Sequence, residues 1–155
     1  MAKWHPPLDA VGPNEVIGRR LFESSAASSL RPLSTQHFMD SRVDEDLSVD
    51  RLGDTGVNKV VCRSLTSEAD AEAAKRSKSF HGWASIRCKD LKKANVKPVP
   101  ITLAEHGTDN PYHAEIDRSL VRDATMQHYF AAHLLYEFIK GTHVPPLREG
   151  FDLPA

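Results

Sequence analysis

The sequence has little of what usually makes a chemistry easy to name. It holds only two cysteines, Cys62 and Cys88, too far apart to form a Cys-x-x-Cys pair. They read as buried small hydrophobes or free thiols, and the shortage favours a reducing compartment. No run approaches the roughly 18 apolar residues that a membrane helix needs. The opening Met1-Ala2-Lys3-Trp4-His5-Pro6-Pro7 has no apolar core of a secretory signal. A cytoplasmic protein with no membrane partner is the expectation. Charge of one sign is lacking too: 20 Lys+Arg face 21 Asp+Glu, a net charge of −1. That balance excludes a strong sequence-independent nucleic-acid binder and leaves room for a local basic groove. Walker, Gly-x-Gly-x-x-Gly and Gly-x-Ser-x-Gly motifs are all missing, so ATP-driven, dinucleotide-dependent and hydrolase-elbow chemistry lose their usual support. No cofactor is expected.

What is present is an ordinary globular composition over 155 residues, 40% apolar and 26% charged. This length suits a single domain, 1–155, that needs no disulfide or structural metal. Residues 1–14, with Pro6, Pro7 and Pro13, read as an extended N-terminal arm, and 142–155 as an extended, Pro-rich C-terminal tail pinned by Leu147, Phe151 and Leu153. Glu15–Phe22 fits a short helix or a strand equally. Leu47–Leu52 reads as a strand, Gly53–Gly56 as a turn, and Val57–Leu65 as a β-type run through Val60, Val61 and Cys62. Ser67–Lys78 reads as a surface helix capped by Ser67, with acids first and bases last to suit the helix dipole. Phe80–Cys88 alternates as a strand, with Phe80, Gly82, Ala84, Ile86 and Cys88 on one face and His81, Trp83, Ser85 and Arg87 on the other. A short crossover at Lys89–Asn95, a strand within Val96–Glu105 and a short strand Tyr112–Ile116 follow.

The longest helix starts at its candidate N-cap, Asp123, and stops at Gly141. His133, Glu137 and Lys140 share one narrow polar stripe. Apolar side chains fill most of the remaining girth, which predicts a central helix packed on several sides. Gln127 and His128 then point inward. The fold class expected is α+β: a small mixed sheet packed on one long C-terminal helix, with short peripheral helices and extended Pro-rich ends.

The sharpest short string is Asp109-Asn110-Pro111-Tyr112-His113-Ala114-Glu115. Its His-Ala-Glu core resembles the first half of the zinc-deaminase signature, in which the His holds zinc and the Glu shuttles protons. The resemblance covers three residues, and no cysteine follows Glu115 to complete such a zinc site. His128 and His133 are five apart on a helix and cannot share an ion unaided, so no metal site is expected. On a strand, His113 and Glu115 share a face. If that strand lay beside Phe80–Cys88, they would join His81 and Arg87 in a set suited to acid–base work on an anionic substrate, with Arg87 holding the anion. Trp83, Ser85, Asn110, Tyr112 and His128 are the candidate partner- or ligand-binding residues. Arg19-Arg20 reads as a solvated basic pair.

Two functions follow. The first is a small interaction or accessory module that binds a protein partner or self-associates. The second is a cofactor-free His81/Arg87/His113/Glu115 enzyme, nuclease- or transferase-like, acting on RNA, a nucleotide or another anion. The enzyme requires those four side chains to converge on a pocket.

Overall fold

The computed structural model describes residues 4–24, 38–39, 46–92, 94–100, 110–119 and 123–140, with side chains omitted at 23–24, 124, 128, 135 and 138–140. The strands are β1 (Val16–Ser24), β2 (Leu47–Gly53), β3 (Lys78–Arg87), β4 (Val96–Pro98) and β5 (His113–Ile116); the helices are α1 (Lys59–Lys75) and α2 (Ala124–Lys140). The five strands form one sheet in the order β3-β1-β2-β5-β4. Every pairing is antiparallel. The mixed sheet expected from sequence is therefore overturned, and β3 and β4 lie at opposite edges without pairing.

The helical cover also differs from expectation. Both helices are 17 residues long, and α1 makes the more extensive contact with the sheet. Among the described residues there is thus no dominant C-terminal helix on which the sheet packs. Helix α1 begins where a β-type run was expected. Asn58 caps it, its side-chain oxygen accepting from the Val60 and Val61 amides at 3.0 and 3.1 Å. Val61, Leu65, Ala69 and Ala73 then recur every four residues and are all buried. That stripe, with the cap, outweighs the β preference of Val60 and Val61. Ser67 is an exposed mid-helix residue, its hydroxyl turned back to the Arg63 carbonyl at 3.5 Å.

Each face of the sheet carries its own core. Val16, Leu52, Phe80, Trp83 and Tyr112 pack with α1. Ile17, Leu21, Val49, Ala84, Ile86 and Ile116 pack on the other face with Phe38, Ala131 and Leu134. Phe80 and Trp83 share a core although three positions separate them, because β3 is bulged. Leu21 pairs Gly82 and Phe22 pairs Phe80, leaving His81 as the extra residue, and Gly82 takes a φ of 108°. Strict alternation would have put Phe80 and Trp83 on opposite faces.

The N-terminal arm is held by a buried ion pair. Arg51, with no exposed surface, donates to Glu15 Oε2 at 2.8 Å and Oε1 at 2.5 Å, to the Pro7 carbonyl at 2.6 Å and to the Ala10 carbonyl at 2.5 Å.

Candidate functional site

The α1 face of the sheet is apolar beneath the helix and polar beside it. Across four strands, Ser85, Gly18, Asp50 and His113 lie in register. The neighbouring ladder sets Ser48 against Glu115 and Glu115 against Lys97. His113 Nε2 lies 3.4 Å from Glu115 Oε1, as two residues on one face of a strand allow. Of the four residues assigned to acid–base work, these two meet.

The other two do not join them. His81 and Arg87 are on edge strand β3, with β1 and β2 between them and β5. Three strand spacings amount to about 14 Å. Arg87 instead donates to the carbonyls of Asn14 and Thr55 at 2.9 and 3.5 Å. The Nε2 of His81 and the Oγ of Ser85 are buried without a hydrogen-bond partner.

Trp83 is fully buried, so it offers neither a stacking platform nor a partner anchor. Its indole Nε1 donates to Asp50 Oδ2 at 2.6 Å. Gly18 makes that reach possible: a Cβ there would fall 2.8 Å from Trp83 Cβ and Cδ1 and from Leu52 Cδ1. Asn110 is buried and shapes the turn into β5, accepting from the Tyr112 amide at 3.0 Å and donating to Glu68 Oε1 at 3.3 Å. The Tyr112 hydroxyl donates to the Trp4 carbonyl at 3.5 Å, and the two rings lie 6.0 Å apart. Burial raises the Tyr112 phenol above its ordinary pKa. The side chain of His128 lies outside the described residues.

The residue that sequence reasoning missed is Arg20, which reads from sequence as part of a solvated pair. It donates to Asp50 through Nε at 2.7 Å and Nη2 at 3.1 Å, to Glu72 at 2.9 Å and to Glu68 at 3.2 Å. Burial alone would lower its pKa, but Asp50, Glu68 and Glu72 outweigh burial and raise it. A signal was present in the period of β1: Arg20 alternates with Gly18 and Phe22 on the side facing α1.

These contacts decide what the polar face can do. Asp50 accepts from Arg20 and Trp83, and the Arg20 guanidinium is engaged by three carboxylates, so it is not free to hold a substrate anion. Among the described ion pairs of this face, Arg20 meets Asp50, Glu68 and Glu72, Arg76 meets Glu72, and Lys97 meets Asp46. Burial pushes the Cys62 and Cys88 thiols up to about 12, helped by Asp50 and Glu15 respectively and opposed by Arg51 at Cys88, so neither is a nucleophile at neutral pH. Among the described residues no group of three His, Cys, Asp or Glu side chains is placed to hold a metal ion.

Helix α2 presents a different kind of surface. Asp123 caps it, its Oδ1 accepting from the Thr125 and Met126 amides at 2.9 and 3.2 Å. Gln127, Ala131, Leu134 and Glu137 are buried, while Tyr129 is 71% exposed, Tyr136 59% and Met126 49%. The polar stripe expected at His133, Glu137 and Lys140 is thus not the solvent face: Glu137 is turned inward, and His133 Nε2 contacts the Lys92 carbonyl at 2.7 Å. The solvent face carries Tyr129 and Tyr136. No helix among the described residues is long and apolar enough to cross a membrane.

Comparison with known proteins adds no relative: no family model, curated protein or solved structure matches the chain.

Proposed function

We propose that the chain is a protein-interaction module whose docking surface is the outward face of α2. The observation that carries this is the exposure of Met126, Tyr129 and Tyr136 on one side of one helix. Three large apolar side chains gathered on a single face mark an interaction surface more often than isolated exposed residues do. Tyrosine also supplies contact area at low entropic cost and is enriched at interface centres. Trp83, Ser85 and Asn110, expected from sequence to bind a partner or ligand, give less support because all three are buried.

The acid–base alternative draws support from the His113–Glu115 contact alone. Its anion-holding Arg87 is elsewhere, on the opposite side of β1 and β2.

A photoreactive amino acid placed at Tyr129 tests the docking surface in living cells. It is expected to capture a protein, whether another chain or this one. The same group at Arg63, exposed on α1, should capture far less. Equal yields from the two positions, or no adduct at Tyr129, contradict the proposal.

A further inference from the structure

Thr125, Tyr129, Ala132 and Tyr136 are all exposed, and their spacing is four, three and four residues. That is the spacing of a helical seam, in which alternate steps of three and four keep side chains on one line. The line alternates in size, small-large-small-large, and carries no charge. Both tyrosines make contacts within the chain; the argument uses the area those contacts leave open.

An alternating seam fits itself in one direction. Laid antiparallel about a two-fold axis, Tyr129 of one copy faces Ala132 of the other, and Tyr136 faces Thr125. Each large ring then meets a small residue in all four layers. A parallel arrangement sets Tyr129 on Tyr129 and Ala132 on Ala132, leaving crowded and empty layers in turn. The antiparallel pair also places each helix N-terminus beside the partner's C-terminus, where the dipoles attract. With no charged residue on the seam, the two-fold brings no like charges together. A closed, self-complementary contact of this kind is the commonest form of homo-oligomer.

We infer that the occupant of the α2 face is a second copy of this chain, packed antiparallel through Thr125, Tyr129, Ala132 and Tyr136. The inference rests on the docking surface proposed above. The seam covers roughly 17 Å of helix, so the contact belongs with the smaller, reversible interfaces.

The test uses the purified full chain. Sedimentation equilibrium is expected to show a monomer–dimer equilibrium, and Ala132→Glu to weaken it about tenfold or more. For geometry, two single variants are prepared, Tyr129→Cys and Ala132→Cys. Both positions are exposed, and the unsubstituted chain under the same oxidation is the control for linkage through Cys62 and Cys88. Under mild oxidation, mixing the two variants should give a disulfide-linked dimer that neither gives alone. Homotypic linkage in each separate sample contradicts the antiparallel packing. A monomer at all concentrations, with no linkage, overturns the second copy as occupant. If the probe at Tyr129 still captures a different protein in cells, the docking surface survives that result; if it captures nothing, both fall.

Discussion

Glu15→Ala is expected to lower the unfolding free energy by roughly 3–5 kcal/mol, the usual cost of removing one partner from a buried ion pair. Arg51 has no exposed surface and Glu15 is 3% exposed. The variant leaves a buried guanidinium with only the Pro7 and Ala10 carbonyls for acceptors, and it also frees the Gly12 amide, which donates to Glu15 Oε1 at 3.0 Å. Urea denaturation measures the loss. Replacing both partners by methionine should recover much of it, since the cost lies in the orphaned charge more than in the missing attraction. A loss below about 1 kcal/mol for Glu15→Ala, the range of exposed pairs, contradicts a desolvated latch.

Asp50→Ala is the second large effect, expected at about 3 kcal/mol or more. The carboxylate is 2% exposed and takes three hydrogen bonds, two from Arg20 and one from the Trp83 indole. Without it the indole N–H is buried and unpaired, a cost of about 1–3 kcal/mol by itself. Arg20 keeps Glu68 and Glu72, but both are more than a third exposed and hold it less firmly. Trp83→Phe with Asp50 intact should cost clearly less, because it removes the stranded donor together with its ring edge. Equal losses for Asp50→Ala and Trp83→Phe, again by urea denaturation, would mean that packing rather than charge dominates at this site.

Local punctuation was legible in the sequence. Leu47–Leu52 and the Gly53–Gly56 turn fall where strand β2 and its following bend lie, and Asp123 caps α2 as its position suggested. Gly53 bears out the turn chemistry: its φ is 148°, and a Cβ there would lie 2.0 Å from the Gly56 carbonyl oxygen. Two kinds of feature were not legible. One was strand order, which depends on contacts distant in sequence; β5 pairs with β2 and β4 rather than β3, and the proposed four-residue site separates for that reason. The other was rotation. A one-residue bulge at His81 reset the faces of β3. On α2, apolar residues are spread around most of the helix, so no single stripe could show which tyrosines face water.

Candidate residues fared unevenly for the same physical reasons. His113 and Glu115 meet because two positions on one strand share a face, a local fact. Arg20 escaped notice because its partners lie 30 to 52 residues away, on β2 and α1. The Val57–Leu65 misreading is instructive as well: the Asn58 cap and the four-residue recurrence of Val61, Leu65, Ala69 and Ala73 were both visible, and together they outweigh β-branching at Val60 and Val61.

A docking surface on α2 would be covered in the cell and bare in dilute solution. Hydroxyl-radical footprinting compares the two, in the intact cell and on dilute purified protein. Met126, Tyr129 and Tyr136 should be oxidised several-fold less in the cell, while Leu8 and Val60, exposed elsewhere at 69% and 54%, change little. Equal oxidation of the α2 residues in both settings would contradict the account.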